Sequence, residues 1–206
     1  MSKSAFIAAV DVSRETMARL ETYEALLRKW NPAINLVAKS TLKDLWSRHF
    51  LDSAQIFALA QARSGIWADL GTGGGFPGLV LAIMAAEQAP DLEFHCVESD
   101  QRKSTFLRAV VRDCGIRAQI HAERIESLAP LQADVLTARA LAPLDLLLGF
   151  AERHLKPGGR AIFSKGATEY RERSIALANW SFDVQEYPSK TDSNAVILSI
   201  GDIRRV

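Results

Sequence analysis

Hydrophobic positions in the first part of the chain recur at spacings of three and four, the mark of a helix with one buried face. Met17, Leu20, Tyr23, Leu27 and Trp30 follow that rhythm with Arg and Glu between them, which predicts an amphipathic helix over 13–30. Ser13 is placed to cap it, and Asn31-Pro32 to end it. Leu42, Leu45, Trp46, Phe50 and Leu51 share a face of a second helical region over 41–61. Strand patterns are scarce before residue 65 and dominate after it. Short apolar runs at 65–70, 92–98, 118–121, 134–137 and 160–164 alternate with helical segments at 77–87, 101–114, 143–155 and 168–179. That succession predicts an α/β fold, a mostly parallel sheet with helices on both faces. Two final runs, 182–187 and 195–200, are separated by the turn-like PSKTDSN and predict an antiparallel hairpin at one sheet edge. The organisation expected is an N-terminal helical extension over 1–62 packed on a single core over 63–206.

Composition narrows this picture only slightly. Hydrophobic residues make up 48% and charged residues 24% of the 206, enough apolar material for a real core and no sign of extensive disorder. The longest nearly uncharged stretch, 70–86, is interrupted by five glycines and a proline, which excludes a membrane span. Cys96 and Cys114 form no CxxC pair and read as buried thiols of a cytoplasmic protein, with no metal site expected. A net charge of +1 leaves an RNA partner to local clustering. Arg102, Lys103, Arg108 and Arg112 cluster on one helical segment, with Arg204 and Arg205 at the end; the default reading is a solvated helix face.

The candidate chemistry begins where the strand GIWADL enters GTGGGFPG and then the apolar helix LVLAIMAA. Glycines suit a tight turn that a ligand approaches closely, and the new helix offers its amide groups. Gly78 is followed by Leu79 and Val80, so the phosphate-loop signature is absent. Glu98 ends the next strand, 23 residues after Gly75, where a carboxylate can accept from a ribose diol. Asp69 stands immediately before the loop and can hold the methionine end of a cofactor through water or its ammonium. Spacing alone leaves NAD and S-adenosylmethionine both open; the acid ahead of the turn and the terminal hairpin favour S-adenosylmethionine.

The chain resembles the RsmG (GidB) family of bacterial 16S ribosomal RNA guanine-N7 methyltransferases. The likeness is carried in order by KWNPAINLVA at 29–38, RHFLDSA at 48–54, DLGTGGGFPG at 69–78 and ESDQRKSTFLR at 98–108. AERIESL at 122–128, TARALAPL at 137–144 and SKG at 164–166 continue it. It implies a class I, Rossmann-like fold with a seven-stranded sheet and S-adenosylmethionine as methyl donor. Gly71, Gly73 and Phe76 match the cofactor loop, Glu98 the ribose acid, and Ile125 and Glu126 the segment along the adenine. Arg139 matches an arginine beside the cofactor facing the reaction site. Arg124 and Lys165 match basic positions for RNA, and Arg139 and Lys165 are the implied catalytic pair. A monomer acting on 16S RNA, free or within the small ribosomal subunit, is the implied state. His49 and Arg48 open the RHFLDS segment, which reads first as a join between extension and sheet.

The chemistry is compatible with that family. Guanine N7 carries an available lone pair, so its methylation needs alignment and no general base. The Asn/Asp-Pro-Pro-aromatic turn of amino-group enzymes is replaced here by TARALAPL, and neither cysteine falls where a pyrimidine-C5 nucleophile is expected. A small-molecule methyltransferase of the same fold and a non-enzymatic RNA-binding module are the rival readings.

Overall fold

The computed structural model describes residues 3–206. The extension begins with α1 (Lys3–Ala9) and α2 (Arg14–Ile34). Ser13 caps α2 as its sequence predicts, its hydroxyl accepting from the Thr16 amide at 2.9 Å. Pro32 does not stop this helix, which continues one turn further. Asn31 is buried and its side-chain oxygen accepts from the Val37 amide at 2.8 Å, so the last turn is anchored by the chain that follows it. The helix ends instead at Asn35 in the left-handed conformation, whose amide bonds the Asn31 carbonyl. The region expected as one helix over 41–61 is three pieces: a 3-10 turn (Lys39–Asp44), a π-helical turn (Trp46–Leu51) and α3 (Asp52–Ala60). The wider π turn changes which residues face inward, and such turns often sit at functional sites.

The core alternates as predicted. Its strands are β1 (Ser64–Leu70), β2 (Asp91–Val97), β3 (Ala118–His121), β4 (Ala133–Arg139), β5 (Leu155–Lys165), β6 (Trp180–Pro188) and β7 (Val196–Arg205). They form one seven-stranded sheet in the order β3-β2-β1-β4-β5-β7-β6. The first five are parallel, while β7 runs antiparallel between β5 and β6. Helices α4 (Gly78–Gln88), α5 (Gln101–Asp113), α6 (Leu144–His154) and α7 (Glu169–Ala176) complete it. The order reverses at β1 and β4, which places a crevice beyond their carboxyl ends. No helix links β3 to β4, so 122–132 is loop and free to line that crevice.

Each face of the sheet carries its own core. On one, Leu20, Tyr23, Leu27 and Phe50 of the extension pack with Trp67, Phe94 and the apolar sides of α4 and α5. On the other, α6 and Trp180 cover Ala68, Leu136, Phe163 and Leu198. The extension is therefore continuous with the core's interior. Among the described residues no helix is long and apolar enough to cross a membrane, and no group of three metal-ligating side chains gathers. Cys96 and Cys114 are both buried free thiols, as expected.

Candidate active site

The crevice is a cleft of about 1100 Å³ bounded by the glycine loop, the starts of the 98–103 and 122–126 segments, the 139–143 segment, the end of β5 and the extension. Gly71, Gly73, Phe76, Glu98, Arg124, Ile125, Glu126, Arg139 and Lys165 all line it. Asp69, alone of the predicted site residues, does not.

Side chains alternate along a strand, and Asp69 shares the face of β1 that carries Trp67, under α4. It is fully buried, and its Oδ2 accepts from the Gly78 amide at 3.0 Å and from the Thr72 hydroxyl. Its Oδ1 accepts from Thr137 Oγ1 at 2.8 Å on the neighbouring strand. Asp69 thus sits behind the cleft wall, where it ties the first amide of α4 to the sheet. Burial pushes its carboxyl up to about 6, against the three hydrogen bonds and the more distant Arg139. Gly78 is required by the same contact, because a Cβ there would lie 2.7 Å from Asp69 Oδ2 and 2.9 Å from Cys96 Sγ.

One side of the cleft is built around Gly73 and Glu98. Gly73 has φ +58°, and a Cβ there would meet only the Gly71 carbonyl, at 3.8 Å, so the backbone is open to a ligand. Its amide donates to Glu98 Oε2 at 3.0 Å, and the Asp100 amide donates to Glu98 Oε1 at 2.8 Å. Both oxygens are thereby fixed, with acceptor capacity left. Opposite, the loop carrying Ile125 and Glu126 is held by His154, which bonds the Ile125 carbonyl at 3.0 Å, and by Arg153 on the Leu128 carbonyl at 2.8 Å. Glu126 and Arg124 are exposed on its rim, while Ile125 is buried against it.

Another wall centres on Arg139 at the end of β4. It faces the extension, and its partner is Asp52, at 3.2 Å, not Asp145, which accepts from Trp180 and Asn179. Its guanidinium also donates to the Arg48 carbonyl at 3.1 Å and to His49 Nδ1 at 2.9 Å, and lies 5.2 Å from the Phe76 ring centre. The next residue, Ala140, has φ +52°, a strained conformation of the kind that collects at ligand sites. Lys165 is almost covered: it donates to the Ala142 carbonyl at 3.1 Å and pairs with Glu172 of α7. Glu172 also accepts from the Leu144 amide at 2.9 Å, so this pair fixes the segment following Arg139.

Periodicity had left His49, Asp52, Arg48 and the hairpin turn outside the site. The π turn brings His49 over Phe76, with ring centres 4.9 Å apart, and its Nε2 lies 2.9 Å from Thr41 Oγ1. Burial, then the cations Arg139 and Arg48, lower its pKa to about 3, so the ring is neutral. With Nδ1 accepting from Arg139, the proton sits on Nε2 and points at Thr41. Asp52 Oδ1 accepts from Thr191 Oγ1 at 2.7 Å, and Arg48 pairs with Asp192 at 3.1 Å, which fastens the β6–β7 turn to the cleft wall. The only sequence signal for these residues was the RHFLDSA string itself.

Comparison with known proteins agrees with this architecture. The family model described as "GidB: rRNA small subunit methyltransferase G" matches residues 16–197. A Ruegeria pomeroyi protein named "Ribosomal RNA small subunit methyltransferase G" is 54% identical over 197 residues, covering 96% of each chain. A Cereibacter sphaeroides protein of that name is 46% identical over 206 residues and 100% of both chains. Among solved structures, a ribosomal protein L11 methylase from Lactobacillus delbrueckii subsp. bulgaricus superposes with a TM-score of 0.58 at 19% identity, over 73% of this chain and 76% of that one. M. jannaschii TYW2 in complex with AdoMet gives 0.57 at 11% identity, over 79% and 78%. The fold is thus the Rossmann-like fold of S-adenosylmethionine-dependent methyltransferases, and the chain belongs to the rRNA small subunit methyltransferase G (GidB) family.

Proposed function

We propose that this protein transfers a methyl group from S-adenosylmethionine to N7 of a guanine in 16S ribosomal RNA, in the cytoplasm and as a monomer. The cofactor supplies an electrophilic methyl carbon on a sulfonium. The residues present fit it: Gly73 leaves its backbone open, Glu98 presents two fixed oxygens to a ribose diol, and Ile125 offers an apolar wall to a purine. When the cofactor is bound, that methyl carbon would be the group offered to the N7 lone pair. The base leaves positively charged, and no proton has to be removed first.

The observation that carries this reading is the pairing of three cations in the wall around Arg139 at the cleft. Arg139 is paired with Asp52, Lys165 with Glu172 and Arg48 with Asp192. Such a wall presents little net positive charge to a base that gains one. His49 is neutral with both nitrogens engaged, and Asp69 is turned into the core, which suits a reaction that calls for alignment and no base. Arg124 on the rim is assigned to the RNA backbone.

Tritiated-methyl transfer to ribosomal RNA from a strain deleted for this gene tests the proposal. The expected result is label on one guanine of 16S RNA, released by the mild cleavage specific to N7-methylated guanosine. Label on amino groups, on a metabolite alone, or on no RNA overturns it.

A further inference from the structure

Helix α2 of the extension reaches the cofactor loop through one side chain. Tyr23 is fully buried, and its hydroxyl donates to the carbonyl of Gly74, a residue that lines the cleft. Its ring stacks on Phe76 at 5.3 Å and 17°, and meets Phe50 edge-on at 5.4 Å. Phe76 in turn carries His49 and Arg139 on its other contacts. Gly75, at φ +96°, leaves room for this hydroxyl, since a Cβ there would overlap it. The Leu36 carbonyl sits 3.0 Å from where a Gly74 Cβ would be, so a second point of the extension braces the same peptide. Burial keeps the phenol protonated and therefore a donor.

We infer that Tyr23 is a positioning residue for S-adenosylmethionine: its hydroxyl fixes the Gly74 carbonyl and so holds the loop at Gly73–Gly74 in its binding conformation. The inference rests on the methyltransferase reading above. The extension is then part of the cofactor site as well as of the wall around Arg139. A loop freed at Gly74 samples other conformations, and the binding-competent fraction falls, which weakens affinity in proportion. The chemical step, once the cofactor is seated, is untouched.

The test is calorimetric titration of the full chain with S-adenosylmethionine, for the parent and for Tyr23→Phe, which keeps the ring and removes only the hydroxyl. The variant is expected to bind roughly tenfold more weakly, as loss of one buried hydrogen bond allows. KM for S-adenosylmethionine should rise by a similar factor, while kcat at saturating cofactor and KM for the RNA stay within about twofold. A variant too unstable for kinetics is read by melting: the upward shift that S-adenosylmethionine produces should be smaller than in the parent. Equal affinity, an equal melting shift, or a fall in kcat with unchanged KM for the cofactor overturns the role of Tyr23. A parent that gives no heat with S-adenosylmethionine overturns the methyltransferase reading itself, which separates the two failures.

Discussion

Arg139 and Asp69 stand at the carboxyl ends of neighbouring strands and do opposite things with their charge. Arg139 reaches the cleft and is held there by Asp52, His49 and the Arg48 carbonyl. Arg139→Ala removes those N–H groups and leaves Asp52 with Thr191 and Gln55 still bonded to it. Transfer should fall roughly a hundredfold, about 2.7 kcal/mol of transition-state stabilisation, while the melting midpoint moves by no more than roughly 5 °C. Transfer at the parental rate would remove Arg139 from the site. Asp69 is locked inside, and its folded-state pKa is raised to about 6 from an ordinary 3.8. A raised carboxyl favours folding while protonated, so its contribution is complete below the unfolded value and is lost as pH rises through about 6. Asp69→Asn titrates no proton there, and urea midpoints from pH 4 to 7 should show the variant gaining on the parent as pH rises. A gap that stays constant with pH would show that burial does not perturb this carboxyl.

At the scale of elements, the extension and the core share an interior. Leu20, Tyr23, Leu27 and Phe50 are each fully buried against residues of the sheet and its helices. Burial of one such side chain is worth about 1.5–3 kcal/mol, and a domain's net stability is only about 5–15. A chain starting at Arg63 should therefore lack a cooperative melting transition and bind a hydrophobic dye. A sharp transition with S-adenosylmethionine binding intact would make 63–206 an independent unit. Element identity was largely legible in advance, because strand and helix periods are local properties of the chain. The exceptions lie in the extension. Helix α2 passes Pro32 with Asn31 bonded to Val37 just beyond the helix, and 41–61 divides into a 3-10 turn, a π turn and α3, the π turn seating Trp46 and Phe50 in the core.

At the scale of the whole molecule, the cleft joins a wall from the parallel strands to one shared by β4, β5, the extension and the β6–β7 turn. Arg48 with Asp192 and Asp52 with Thr191 close that ring across more than 130 residues of sequence. The alternation of elements, the glycine loop, Glu98 and the ordered family strings were all determined by the sequence itself, because each is a pattern within a short window. The convergence of His49 and Asp52 on Arg139, the hold of Tyr23 on the loop and the inward turn of Asp69 were decided only by the tertiary structure. The physical reason is direction: which way a strand-end side chain points, and what meets it there, depends on the sheet's face and on partners far away in sequence. The glycine loop marks where a cofactor belongs; packing decides which residues hold it in shape.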